Sequence, residues 1–486
     1  MMDLKLGNLL LEMRKNYTEQ PVFLFTEKGE TAKPVMYPDF LADLDENVKK
    51  AENMKPERIA VAGYNNYDWI VTAVSLLLAG KTLILMNPDI SDHDFLYLLE
   101  YTDTECVMLP EELKSDFGFL KGHFQTEPLF SGRALSGTPS GTDVDKIQFS
   151  DHKSEFLCFT SGTSKSSKGV VINTETLVNH VRLVVKEAVL PMYRDDKWFM
   201  PLPLYHIYAF TFLFHIMAVG TTLCLTPSPR YLVQAAHLFN PQVALLVPSM
   251  VELLIKKPEL LPDLKAIITG GGACRAEVAD AVRKHGITYL NGYGSSESIA
   301  MTFLSVPGED EQWMKPLSCI QCGVSEDGEL WIRTPYHFDE YYKRPEDTKR
   351  SLDGDVIWTG DAAVMNEKGY IHLIGRLRDM IVMENGEKIH AEDMDNILAG
   401  MEHVAEAAVV YSPEYGMSAA VIPDSMQHKE SIQQQVAAYN KDTSPQLRIR
   451  HLWVRETKLP RTTTGKLKRY QLENEFKEWL LAEEDQ

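Results

Sequence analysis

Cysteine is scarce: six thiols, Cys106, Cys158, Cys224, Cys274, Cys319 and Cys322, are spread over 486 residues. That excludes a disulfide scaffold and favours a reducing, cytoplasmic setting. Cys319 and Cys322 have the spacing of half a metal or redox site, but no second pair or Cys/His partner stands at suitable spacing, so they read as structural. Basic charge is in deficit, with 49 Lys and Arg against 69 Asp and Glu for a net charge of −20. This argues against a general nucleic-acid binder or an anionic-membrane partner, both of which select for basic surfaces. Long apolar runs are missing too. The longest, WIVTAVSLLLAGKTLILM at 69–86, is broken by Gly80-Lys81 and reads as helix, turn and strand rather than a membrane span; FTFLFHIMAVGTTLCLT at 210–226 repeats the form. The opening residues read as a short amphipathic helix, so no secretory signal is expected. There is no internal repeat and no low-complexity tract.

What is present is α/β alternation. RIAVAGY (58–64), KTLILMN (81–87), ECVMLP (105–110), VALLVPS (243–249) and LKAIITGGG (264–272) are short β-rich runs. Helical stretches such as ISDHDFLYLLEYT (90–102) and RAEVADAVRKHG (275–286) separate them. The length calls for two or more domains, and the alternation for largely parallel, helix-flanked sheets. From about residue 320 short strands and turns indicate a β-rich subdomain, 320–378. Residues 379–486 return to mixed strands and helices and suit a small, separate α+β lid domain after a large N-terminal domain, 1–378.

The stretch FTSGTSKSSKGVVIN (159–173) packs hydroxyls, glycine amides and lysines between two apolar runs. Those are the donors a polyphosphate needs, yet the spacing is not that of the P-loop, and a plain polar turn between strands remains an equal reading. Downstream stand PLPLYHIYAF (201–210), ITGGGA (268–273), NGYGSSES (291–298), WTGD (358–361), GRLRDMIV (375–382) and LPRTTTGKLKR (459–469). In this order the motifs resemble the adenylate-forming, AMP-binding superfamily, most closely its acyl-CoA synthetases, over nearly the whole chain.

The resemblance implies a reaction and a set of residues. ATP would activate a small carboxylic acid to an acyl-adenylate with release of pyrophosphate, and a thiol would then displace AMP. The thiol is coenzyme A or the phosphopantetheine of an acyl or peptidyl carrier protein. By similarity, Thr160, Ser161, Gly162, Thr163 and Lys168 would wrap the β- and γ-phosphates, although Lys165 and Ser167 replace the usual Gly and Pro. Tyr293 and Gly294 would lie at adenine, Ser296 would donate to the α-phosphate and Glu297 would help to hold Mg²⁺. Gly270, Gly271 and Gly272 would form a side-chain-free wall; Asp361 and Arg376 would meet the ribose. Arg378 falls at the inter-domain hinge, with Ala391 nearby where Pro is usual, and Lys466 would be the catalytic cation on the lid. His206 would stand where acyl pocket and thiol tunnel join. Tyr205-His206 offers no carboxylate for a substrate ammonium, so an α-amino acid is disfavoured. Tyr205, Ile207, Tyr208, Ile299, Met301 and Phe303 are the expected apolar lining, which suits a fatty or aryl acid.

Overall fold

The computed structural model describes residues 5–484 except 18, 28, 137–142, 151, 161–166, 187–195, 273–275, 300, 378–379, 383–387, 413 and 462–466. The chain folds as two compact units. The first comprises residues 1–322, 332–358 and 367–371, and the second 323–331, 359–366 and 372–486.

The first unit is layered α/β. One seven-stranded sheet runs in the order Glu340–Tyr341, Gly169–Asn173, Glu155–Phe159, Thr82–Met86, Arg58–Ala62, Cys106–Leu109, Gln125–Pro128. Its strands pair in parallel from 155–159 outward to 125–128, while 169–173 and 340–341 are antiparallel. A second sheet passes through Met314–Pro316, Phe303–Ser305, Thr288–Tyr293, Ala266–Thr269, Val243–Leu246, Lys197–Phe199, Thr222–Leu225, Phe23–Phe25 and Lys33–Val35. The six from 288–293 to 23–25 pair in parallel.

Local chemistry explains the boundaries. The interrupted run at 69–86 is a helix, Tyr67–Leu78, then a strand, Thr82–Met86. Asn66 caps the helix by accepting from the Trp69 amide, satisfying a donor that the first turn would leave orphaned. The second such run gives helix Ile207–Val219 and strand Thr222–Leu225. Gly220 ends that helix at φ +89°, a left-handed cap to which glycine is suited. Residues 209–217 of the helix are all buried, as expected of a helix apolar on every side. No helix among the described residues is long and apolar enough to cross a membrane.

In the second unit, strands Val404–Ser412, Gly416–Pro423 and Leu452–Val454 form a sheet with the first pair antiparallel and the second parallel. Helices Ala391–Ala399 and Lys429–Asp442 pack with it around Met394, Leu398, Val409, Val421 and Ile432. Helix Arg469–Glu484 closes a second core through Leu472 and Phe476. This unit includes 323–331 and 359–366 as well as the 379–486 segment; residue 378 lies outside the described residues.

Candidate nucleotide site

The Ser/Thr/Lys stretch is the turn of an antiparallel hairpin, with Phe159 paired to Gly169. Two hydrogen bonds close its neck: the Thr160 amide donates to the Lys168 carbonyl at 3.0 Å, and the Lys168 amide to Thr160 Oγ1 at 3.0 Å. Ser161, Gly162, Thr163 and Lys165 lie outside the described residues. Lys168 Nζ stands 3.4 Å from Asp347 Oδ1 and 4.3 Å from the centroid of the Tyr341 ring. Tyr341 is brought there by pairing of its short strand with Val170.

The parallel strand Thr288–Tyr293 delivers the NGYGSSES stretch into a tight turn. The Ser295 amide donates to Ser298 Oγ at 3.0 Å, and the Ser298 amide to the Ser295 carbonyl at 3.3 Å. Ile299 follows at φ +57°, a left-handed conformation that a β-branched residue adopts only when the surroundings over-determine it, at a cost of roughly 1–3 kcal/mol. The carbonyl of Glu297 accepts from the Phe338 amide at 2.9 Å, and its carboxylate Oε1 accepts from the Tyr341 hydroxyl at 2.6 Å. One phenol therefore connects the Lys168 ammonium to the Glu297 carboxylate. The Ser296 side chain meets the Cys158 thiol on the hairpin strand, a thiol that burial pushes up to about 12. Lys168, Ser296 and Glu297 are thus assembled around the hairpin.

Gly270 ends strand Ala266–Thr269, where an added Cβ would lie 3.3 Å from Tyr208 Cζ and 3.4 Å from the Gly292 carbonyl oxygen. Gly271 has φ +77°. The glycines therefore leave a bare strip of backbone against Tyr208, whose buried hydroxyl has no protein partner among the described residues. Burial pushes that phenol's pKa well up. Tyr205 is buried, and its ring centroid is 4.9 Å from that of His206, the residue that opens helix Ile207–Val219. Ile299, Met301 and Phe303 are buried as well.

Behind Met301 is a pair not foreseen from the sequence. His180 Nε2 is 3.0 Å from the Met301 carbonyl, His215 Nε2 is 3.2 Å from His180 Nδ1, and His215 Nδ1 is 2.7 Å from the Thr211 carbonyl. Two neutral imidazoles bring only two protons to these three contacts. Burial nevertheless favours the neutral rings, holding His180 at about 4 and His215 well below its ordinary value, the latter also through repulsion from His180.

In the second unit, Arg376 Nε lies 2.8 Å from Asp361 Oδ1 and its Nη1 donates to the Thr359 carbonyl at 3.2 Å. Asp361 is 6% exposed, and its amide donates to Thr359 Oγ1 at 3.1 Å. The Gly360 amide between them donates to Glu329 Oε1 at 2.8 Å, at φ +69°. Asp361 and Arg376, both assigned to the ribose by the resemblance, are in direct contact with each other. Lys466 and Arg378 lie outside the described residues. The neck of the lysine loop is described: Arg461 bridges Leu467, and the Lys468 amide donates to the Pro460 carbonyl at 2.8 Å.

Tyr341 and Asp347 were not among the residues singled out from sequence. Their signal is faint, a Tyr-Tyr-Lys-Arg-Pro run before a short helix, Pro345–Ser351, and only strand pairing makes them neighbours of the phosphate-type loop.

The family model described as AMP-binding enzyme matches residues 49–342, and that of the AMP-binding enzyme C-terminal domain matches residues 378–482. The 2-succinylbenzoate–CoA ligase of Bacillus subtilis is 23% identical over 448 residues, covering 88% of this chain and 90% of its own. The long-chain-fatty-acid–CoA ligase of Thermus thermophilus is 23% identical over 480 residues, covering 87% and 86%. Among solved structures, o-succinylbenzoate CoA synthetase from Bacillus subtilis in complex with its acyl-adenylate intermediate superposes with a TM-score of 0.79 at 19% identity, over 96% of this chain and 98% of that one. An anthranilate CoA ligase in complex with anthranoyl-AMP gives 0.81 at 16% identity, over 97% and 98%. With the larger family model spanning well over half of its length, the chain belongs to the AMP-binding enzyme family.

Proposed function

We propose that this protein is an AMP-forming acid–thiol ligase: it activates a carboxylic acid with ATP and passes the acyl group to coenzyme A. The observation that carries the reading is the Lys168–Tyr341–Glu297 chain beside the hairpin loop, in a member of this family. A carboxylate is a poor electrophile because its charge repels nucleophiles. Its oxygen attacks the α-phosphorus of ATP, the bond to the β-phosphate oxygen breaks, and pyrophosphate leaves. The CoA thiol then attacks the mixed anhydride, loses its proton to solvent or a base, and AMP departs. Both steps call for alignment and charge neutralisation rather than a protein nucleophile.

Within that scheme Thr160, Ser161, Gly162, Thr163 and Lys168 hold the β- and γ-phosphates, and Ser296 donates to the α-phosphate. Tyr293, Gly294 and Gly270–Gly272 border the adenine, and Asp361 accepts from the ribose hydroxyls with Arg376 orienting it. Glu297, a half-buried carboxylate steadied by one phenol, fits Mg²⁺, which keeps several waters and takes few protein carboxylates. Bound there, the cation offsets charge on the phosphates. Lys466 approaches the α-phosphate for adenylation, and residues 379–486 then turn about Arg378 for thiol transfer. Buried Tyr205, Tyr208 with its buried hydroxyl, His206 and the apolar lining favour a fatty or aryl acid over an amino acid.

The test is pyrophosphate exchange with fatty, aryl and amino acids, followed by product analysis with and without CoA. Acid-dependent exchange and a CoA thioester are expected. Exchange driven only by an amino acid overturns the substrate class; an adenylate released to a carrier protein but not to CoA overturns the acceptor.

A further inference from the structure

A cluster in the second unit, apart from every residue assigned above, joins His403, Asp424 and His428. Its geometry follows from the hairpin Val404–Ser412/Gly416–Pro423. Val404 pairs with Pro423, and the Asp424 amide donates to the His403 carbonyl at 2.9 Å, so the residues flanking the two strands face each other at the open end. His403 takes φ +68°, a left-handed turn that histidine tolerates better than most side chains. The 3₁₀ turn Met426–His428 then folds back and brings His428 over the same carboxylate. His403 Nδ1 lies 3.1 Å from Asp424 Oδ2, and His428 Nδ1 lies 2.6 Å from Asp424 Oδ1. The two rings stack with centroids 3.6 Å apart and planes 20° from parallel.

The cluster is held from behind. The Glu402 amide donates to Gln435 Oε1 at 2.9 Å, and Gln435 Nε2 donates back to the Glu402 carbonyl at 3.0 Å, tying the turn to helix Lys429–Asp442. The other ring nitrogen of His403 faces a carboxylate, Glu402 Oε1, at 3.6 Å. An acid behind the non-ligating nitrogen is the usual arrangement at a metal-bound histidine, where it orients the ring and raises its basicity. The front is open to solvent, with the Asp424 side chain 50% exposed.

We propose that His403, Asp424 and His428 form a binding site for a divalent first-row transition metal, zinc foremost. Two imidazole nitrogens and one carboxylate oxygen are a ligand set that suits zinc, cobalt or nickel and leaves coordination positions for water. One ligand atom from each of the three residues can be chosen so that all lie within 4.8 Å of one another, close enough for one metal to replace the two hydrogen bonds to Asp424. Magnesium, which prefers oxygen ligands, should not compete.

The experiment uses untagged full-length protein without nucleotide, dialysed against zinc chloride, with metal content measured and affinity read by calorimetry. One zinc per chain is expected. His428→Gln and His403→Asn, the latter keeping a residue tolerant of the left-handed turn, should each weaken binding about tenfold or more. A circular dichroism spectrum matching wild type confirms that the variants fold. Pyrophosphate exchange with Mg²⁺ and ATP should be unchanged, since neither residue belongs to the nucleotide site. No retained zinc, or zinc bound equally by wild type and both variants, overturns the proposal.

Discussion

Tyr341→Phe isolates a single hydrogen bond. The substitution keeps the ring 4.3 Å below Lys168 Nζ and 4.8 Å from Phe338, and removes only the hydroxyl that donates to Glu297 Oε1 at 2.6 Å. Hydrogen bonds to a charged partner contribute about 1.5–3 kcal/mol. Glu297 is half-buried, so water can replace part of the loss and the lower end applies, about 1.5 kcal/mol. If Glu297 must be held in one orientation to receive Mg²⁺ and the phosphates, that energy is lost from the adenylation transition state. It corresponds to roughly a tenfold slower acid-dependent exchange, together with a higher half-saturating Mg²⁺ concentration. The same energy should lower the melting temperature by no more than about 3 °C. The assay is pyrophosphate exchange over a Mg²⁺ series, paired with a thermal melt. Exchange within about a factor of two of wild type at limiting Mg²⁺ would show that the phenol does not position Glu297.

Lys466→Ala should slow acyl-adenylate formation by on the order of 10²–10³ while leaving thioester formation from presynthesised adenylate near wild type; Arg378→Pro should do the reverse by restricting the backbone at the hinge. Equal effects on both half-reactions, measured separately, would refute the rotating lid. Acid should destabilise the fold through His180 and His215: both are held neutral, so their contribution is complete above the ordinary value of 6.5 and is lost as the pH falls from there toward about 4. For His180 alone this amounts to about 3 kcal/mol, and urea midpoints between pH 7 and 5 should fall less steeply in a His180→Leu/His215→Leu variant than in wild type. Gly132→Ala should cost about 1–3 kcal/mol, read as a lower urea midpoint. Its Cβ would overlap the buried Tyr67 ring and come 3.1 Å from Asp43 Oδ2, which already accepts from the Tyr67 hydroxyl and from the Ala134 main-chain amide within loop 131–134.

The elements that were legible in the sequence are those whose signals are local. Gly220 and the Gly80-Lys81 break separate helices from strands because turn chemistry acts over neighbouring residues. The hairpin of the Ser/Thr/Lys stretch was readable from the apolar runs on either side, whereas the family motifs assigned Asp361 and Arg376 to the ribose without giving their mutual contact. Three features depend on pairing over distances that no local pattern encodes. Tyr341 reaches Glu297 across 44 residues because its strand joins the edge of a sheet. His180 and His215 meet through the packing of two helices. His403 and Asp424 face each other because of a hairpin register, and a slip of one residue would turn them to opposite faces. Sequence thus determined which chemistry the chain carries, since residue type and short-range spacing are its own properties. Tertiary structure decided which groups share a hydrogen bond or a carboxylate, because those distances exist only after strands and helices pack.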